Sequence, residues 1–115
     1  MIILDTTTKS LEVVLAGAIT TTQLDVTCHA VDTLDSDMTV SDIVNTNIAT
    51  NSTTAVTIMA APAASHTREV KSITVHNNDT VSATVTVRIN SSSTMFILCK
   101  VILATGENLV YSAED

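Results

Sequence analysis

The segment from Thr67 to Tyr111 constrains the fold more than any other part of the chain. It contains three apolar-rich runs separated by short polar turns. In the middle run, alternate residues from Val81 to Ile89 are apolar, and the residues between them are polar. This period of two is typical of a β-strand with one buried face and one face in water. The segment therefore predicts an antiparallel meander in the C-terminal half.

The composition of the whole chain favours the same fold class. About two in five of its 115 residues are Val, Ile or Thr, the β-branched types that pack well on a pleated surface. With only two glycines and one proline, the turns must be formed largely by Asn, Asp, Ser and Thr. Many short apolar runs between polar turns predict an all-β protein, an antiparallel β-sandwich or small barrel with a C-terminal meander.

The predicted strands define a single domain with a short N-terminal extension. Residues 1–9 are expected to form a strand or an arm, residues 10–115 the β-sandwich domain, and the last four residues a polar tail. Within this frame the predicted strands span 2–7, 10–16, 23–33, 55–61, 68–76, 81–89, 95–103 and 108–111.

Two stretches depart from regular alternation. Residues 34–54 are polar with isolated apolar positions, and they predict a variable surface excursion with at most one short strand or helical turn. Such long irregular stretches often serve as binding loops or interfaces.

The strand at 95–103 is almost continuously apolar, which predicts a central strand buried on both faces. Either residues 10–60 or another subunit would cover it.

The charge of the chain argues against two classes of partner. The formal net charge is −7, and only five residues are basic. Nucleic-acid binding and docking to anionic membranes both depend on clustered Lys and Arg, so neither partner is expected. The N-terminus lacks the pattern of a signal peptide, and no apolar run approaches the roughly 18 residues that span a bilayer.

No pattern of residues predicts catalysis or a cofactor. The nucleophile elbow, the phosphate-binding loop and the dinucleotide fingerprint all need glycines that are missing here. An acidic loop invites comparison with calcium sites, but an EF-hand also needs a glycine and a final glutamate, so a solvated acidic loop is expected. It contains Asp32, Asp35, Asp37 and Asp42. The three histidines are far apart, and we expect no metal, no cofactor and no enzyme.

The two cysteines are Cys28 and Cys99, 71 positions apart. Both lie in apolar runs, where a free cysteine behaves as a small buried hydrophobe. A disulfide between them is possible but not required.

The stretch APAASHTREVKSITVHNNDTVSATVTVRINSSSTMFILCKVILATGENLVY resembles a family of small structural proteins of tailed bacteriophages. The N-terminal TKSLEVVLAGAITTTQL is similar as well, so the resemblance covers about residues 1–33 and 54–111, with 34–53 variable. Members often continue past the final Tyr into a Gly-Trp segment, which this chain lacks. The resemblance implies a non-enzymatic virion component and carries no catalytic residues to transfer.

The resemblance and the composition leave three functions open, two of them in a virion and one outside it. The favoured one is a capsid decoration (cement) protein that is made in the host cytoplasm, binds the major capsid protein on the outer head surface, and works as a homo-oligomer, with a trimer favoured. The alternatives are a tail, neck or fibre-associated virion protein and a soluble ligand-binding sandwich. The residues expected to contact another subunit or the capsid are Ile2, Ile3, Leu4, Met38, Val40, Ile43, Phe96 and Leu98.

Overall fold

The computed structural model of the chain describes residues 1–113 and contains no helix in that range. Glu114 and Asp115, in the predicted polar tail, lie outside the described residues. The nine strands are β1 (Ile2–Leu4), β2 (Lys9–Leu15), β3 (Asp25–Leu34), β4 (Val40–Ala49), β5 (Val56–Met59), β6 (His66–His76), β7 (Ala83–Ser91), β8 (Thr94–Leu103) and β9 (Asn108–Ser112).

The strands form two antiparallel sheets that pack face to face. In the first sheet β4 pairs with β3 and β3 with β6. The other edge of β6 is shared by two short strands, β1 against residues 68–70 and β9 against residues 72–76. The second sheet has the order β5-β2-β7-β8. The predicted all-β sandwich is confirmed.

The predicted C-terminal meander is wrong. Strand β6 belongs to the first sheet, β7 and β8 to the second, and β9 to the first again. Only β7 and β8 form a hairpin. The polar segments after β6 and after β8 are therefore crossovers between the sheets, and the chain changes sheet twice where a meander would stay in one.

Buried polar side chains hold the first of these crossovers in place. The wholly buried Asn77 donates from Nδ2 to the carbonyl oxygens of Val81 (3.0 Å) and Leu103 (2.9 Å). Its Oδ1 accepts the backbone N–H of Asp79 at 2.8 Å. The Asp79 carboxylate then accepts backbone N–H groups of residues 20–22 at 2.7–3.2 Å. One buried cluster thus joins the crossover to the loop after β2 and to the end of β8.

The carboxylate of Asp79 should make stability depend on acid pH. The pKa of Asp79 is lowered to about 2, chiefly by the hydrogen bond from the backbone N–H of Thr20. Burial raises the pKa, but three further backbone N–H donors lower it again. Because a free Asp carboxyl titrates near pH 3.9, the stabilisation is complete well above that pH and is lost as the pH falls toward 2.

We expect Asp79→Asn to lower the Tm by roughly 5–10 °C at neutral pH. The gap between variant and wild type should narrow as the pH falls below about 4, since protonation then removes the same charge from the wild type. Scanning calorimetry across this range measures both curves. A Tm difference between variant and wild type that stays constant as the pH falls toward 2 would contradict the role given to the carboxylate.

The core lies between the two sheets and is almost wholly aliphatic. On β7 the predicted inward positions Val85 and Val87 are buried, whereas Val81 precedes the strand and is exposed. The buried apolar residues are Leu4, Leu11, Val13, Leu15, Leu24, Val26, Cys28, Ala30, Ile58, Met59, Val70, Ile73, Val75, Val85, Val87 and Leu103.

A β-bulge changes which residues of β6 face the core. Simple alternation places Val70 on the face opposite Ile73 and Val75, but all three are buried. In the ladder with β3, Ser72 pairs with His29 and Val70 with Ala30, so Lys71 is an extra residue. The bulge shifts the alternation by one position, and Val70 therefore joins the core.

The predicted excursion at residues 34–54 contains a full strand. Strand β4 spans ten residues and pairs with β3 along its whole length. Nearly all its side chains are exposed or half-buried. Since no sheet face covers them closely, both faces tolerate the Ser, Asn and Thr residues that made the segment look irregular. A turn with Met38 at a positive φ of 60° precedes the strand.

Candidate assembly surface

The large apolar side chains that remain exposed gather mainly on two edge strands. One group surrounds β4 and contains Met38, Val40, Ile43 and Ile48. The second, the β8 patch, contains Met95, Phe96, Ile97, Leu98 and Ile102. Monomeric proteins rarely leave large contiguous apolar patches exposed, and such patches commonly mark interaction sites. These two edges are therefore the candidate contact surfaces.

The β8 patch lies on an edge strand, which corrects the prediction of a central, doubly buried strand. Strand β8 pairs with β7 alone, and its first five residues are exposed. Residues 10–60 do not cover it, because β2 and β5 lie on the far side of β7. Strand order within a sheet depends on tertiary packing, so the apolar run by itself did not distinguish a central strand from an uncovered edge.

The register with β7 assigns each side chain of β8 to a face. Phe96 stands opposite Ile89 and Cys99 opposite Val87, so both point to the core side of the sheet. Ile97 stands opposite Arg88 on the outer side. Leu98 lies between Ile97 and Cys99, has no partner in the ladder and forms a β-bulge. Apolar side chains thus project from both faces of this edge.

The outer face beside the β8 patch is polar, which makes the patch distinct. The Glu12 carboxylate accepts hydrogen bonds from Arg88 Nε and from Asn90 Nδ2, each at 3.0 Å. Glu12 lies on the central strand β2 and is largely buried by these neighbours. On the outer side of β8, Ile97 stands opposite Arg88 and Met95 opposite Asn90. These two β8 side chains are apolar and add nothing to the hydrogen bonds around Glu12.

A cavity of about 200 Å³ opens between the sheets next to β8. Its walls are apolar, and it is lined by Ile2, Ile73, Val87, Leu98, Cys99, Leu109 and Tyr111. The Tyr111 hydroxyl is buried and is the one buried side-chain polar atom within residues 1–113 that lacks a hydrogen-bond partner. Buried hydroxyls are normally satisfied, so the Tyr111 hydroxyl is an exception in a residue that also lines the cavity.

The N-terminal contact residues are corrected by the structure. Strand β1 pairs with β6 of its own chain, and Leu4 is 0% exposed in the core. Ile2 is half-buried against the core and lines the cavity. Only Ile3, at 44% exposure, remains available to a partner. The segment is a component strand of the sandwich and not a free arm.

Alanine substitutions should separate these two roles. Leu4→Ala should lower the free energy of unfolding by about 2–3 kcal/mol, because it removes a buried side chain from the core. Ile3→Ala should change it by less than about 0.5 kcal/mol. Urea denaturation of both variants measures the difference. Equally small losses would mean that β1 is not part of the folded core in solution.

The other contact residues are accessible on their edges. Met38, Val40 and Ile43 lie on or before β4, and Phe96 and Leu98 lie on β8. Strand β5 packs near β3 and β4, whereas β8 packs near β9, so the two edges lie on opposite sides of the sandwich. Sequence reasoning missed Met95, Ile97 and Ile102, although the same apolar run contained them.

Three residues of the acidic loop, Asp32, Asp35 and Asp37, each accept hydrogen bonds from a different neighbour. Asp32 binds Arg68 in a two-pronged ion pair, with Nε–Oδ1 at 2.7 Å and Nη2–Oδ2 at 2.9 Å. Asp35 accepts the Thr67 hydroxyl, and Asp37 caps Thr39. Within residues 1–113, no group of three His, Cys, Asp or Glu side chains is arranged to hold a metal ion.

The cysteines do not form the possible disulfide. Cys28 and Cys99 are both free. Burial raises the pKa of the Cys28 thiol to about 11, which keeps it protonated and unreactive at neutral pH. Cys99 is half-buried and lines the cavity.

Comparison of the chain with protein-family models, curated proteins and solved structures finds no significant match. Residues 1–113 include no helix with the length and apolar character needed to cross a membrane.

Proposed function

We propose that this chain is a non-enzymatic structural protein of a tailed-bacteriophage virion, and specifically a homo-oligomeric decoration protein on the outer surface of the head. The observation that carries the proposal is the pair of exposed apolar edges on opposite sides of a small sandwich. A protein that joins neighbours needs more than one adhesive surface. The resemblance of residues 1–33 and 54–111 to phage structural proteins supplies the setting.

Such a protein would act by burying surface and not by chemistry. Each copy would contact the major capsid protein through one edge and a sister copy through the other. Several weak contacts held at fixed spacing reinforce one another, because each contact raises the effective concentration of the next. The acidic surface, with a net charge of −7, complements a basic region on a capsid protein and limits unspecific association.

Immunogold labelling of intact particles that carry this chain tests the proposal. Label spread over the whole head is the expected result, with a copy number that is a multiple of the capsid symmetry. Label confined to the tail, the neck or one vertex would replace head decoration with the tail-associated role. Absence of the chain from purified particles would overturn the virion role altogether.

A binding assay on capsids that lack the protein identifies the surface used. We expect Ile43→Lys, on the β4 edge, to weaken co-sedimentation with such capsids, because it places a charge in an apolar contact. Ser41→Lys on the same strand, which adds the same charge at a polar exposed position, is the matched control. Equal binding by both variants would exclude the β4 edge as the capsid contact.

A further inference from the structure

We infer that a second copy of this chain docks antiparallel along β8, and that Phe96 of each copy enters the cavity of the other beside Cys99 and Tyr111. Pairing of this kind does not depend on a phage setting, since it needs only two copies of the sandwich. It identifies the partner of the β8 patch and the occupant of the cavity.

The free edge of β8 is suited to pairing with another chain. An edge strand presents unpaired backbone N–H and C=O groups, and natural proteins usually protect it with charges, proline or short length. Strand β8 has ten residues and no proline, and Lys100 is its only charge. The bulge at Leu98 limits a long regular ladder, so side-chain burial must contribute much of the contact.

The amount of apolar surface matches an interface. Each of the five side chains in the β8 patch leaves on the order of 100 Å² exposed, about half the area of a large side chain. The strand alone therefore supplies more than half of the roughly 800 Å² per partner that a standard interface buries.

The bulge makes β8 complementary to itself. Thr94 and Phe96 face the core side before the bulge, and Cys99 and Val101 face it after the bulge, as their partners on β7 show. These four positions are symmetric about a point between residues 97 and 98. An antiparallel pair centred there places Phe96 opposite Cys99 of the other copy with both on the core side. At these four positions, core-side residues thus meet core-side residues.

The same register agrees with the charges. It sets Lys100 opposite Met95 of the second copy, both on the outer side, so the lysine stem can cover the methionine while its ammonium group stays in water. No acidic residue lies on β8, so two chains of net charge −7 meet here without opposing carboxylates. A twofold axis is also the commonest symmetry of soluble oligomers.

The cavity fits the ring that this register brings to it. An engineered apolar cavity of about 150 Å³ holds benzene, and the cavity here measures about 200 Å³. Phe96 is not among its lining residues and is 55% exposed in its own chain. The edge of the second copy also brings unpaired backbone carbonyls, the kind of acceptor that the buried Tyr111 hydroxyl lacks.

The first experiment measures the mass of the full chain in solution by sedimentation equilibrium. We expect a dimer, and we expect Ile97→Lys to raise its Kd by more than about tenfold, because each copy would bury a new charge. Ile43→Lys is the matched control: the two positions are 65% and 69% exposed on edge strands, so neither change disturbs the core. A wild-type monomer, a trimer, or dissociation by Ile43→Lys alone would overturn pairing along β8.

The second experiment tests the register by cross-linking. With oxidised glutathione as oxidant, Phe96→Cys should form a disulfide with Cys99 of the second copy, since directly opposed strand residues lie within disulfide range. Adding Cys99→Ser should abolish the covalent dimer, and Met38→Cys, on the opposite edge, should not form one. Cross-linking by Met38→Cys but not by Phe96→Cys would refute the register. A trimer seated on the head would leave the decoration role intact while excluding this pairing.

Discussion

Replacing Asn77 with alanine should destabilise the fold by about 3–5 kcal/mol, a large part of the total stability of a domain of this size. The side chain is wholly buried, and both polar atoms of its amide are hydrogen-bonded. Without it, the carbonyl groups of Val81 and Leu103 lose their donor, and the backbone N–H of Asp79 loses its acceptor. Each buried group left without a partner costs roughly 1–3 kcal/mol.

Urea denaturation measures this loss of unfolding free energy, provided that the m-value of the variant equals that of the wild type. Asn78→Ala is the matched control, because it removes the same side chain one position along, where the residue is only half-buried, and it should cost less than about 1 kcal/mol. Similar losses for the two variants would show that the crossover does not depend on the buried amide.

Replacing Asp32 with alanine should cost about 3–5 kcal/mol, since it leaves the Arg68 guanidinium charged and buried without its partner. Both side chains are nearly inaccessible, at 9% and 11% exposure. The hydrogen bond to Asp32 is the main cause that raises the pKa of Arg68. A guanidinium keeps its charge even without such a partner, so the variant would hold an unpaired charge. Its Nη1 also donates to the carbonyl of Ala60 at 2.8 Å, which joins the end of β5 to the first sheet.

Two comparisons make the Asp32 prediction specific. Asp37→Ala removes an exposed carboxylate that accepts hydrogen bonds from Thr39, and it should cost far less stability than Asp32→Ala. The double variant Asp32→Leu/Arg68→Met should recover most of the lost stability, because it removes both charges and keeps apolar volume. Chemical denaturation of the set tests this. A double variant no better than Asp32→Ala would mean that an uncompensated charge is not the cause of the loss.

Local pattern predicted most of the strands because alternation and turn residues act over a few positions. The segments around Val13, Cys28 and Val85 all became strands, and Val85 and Val87 are buried as the alternation predicts. Strand β4 was missed because this edge strand is largely exposed, with only Val44 packing against the core, and so has no regular apolar alternation to detect. Simple alternation puts Val70 on the wrong face, because a bulge depends on the ladder that a strand joins, and that partner is distant in sequence.

The candidate surface divides in the same way. Phe96 and Leu98 were predicted from the apolar run and are exposed on β8. Leu4 was predicted as a contact residue but fills the core, because an apolar N-terminal segment looks the same whether it pairs within its own chain or with another. Neither the cavity nor the unpaired hydroxyl of Tyr111 could be predicted from the sequence. The residues that line the cavity come from strands of both sheets.

Local pattern is enough to place β-strands within residues 67–111, since β-branched residues and period-two alternation favour extended backbone wherever the strand is placed. The distribution of those strands between the two sheets depends instead on contacts between residues distant in sequence. An Asn-Asn-Asp turn suits a hairpin as well as a crossover, and it became a crossover because Asn77 and Asp79 bind the end of β8 and the loop after β2. That crossover places β6 and β7 in opposite sheets, and it leaves the apolar strand β8 at an open edge.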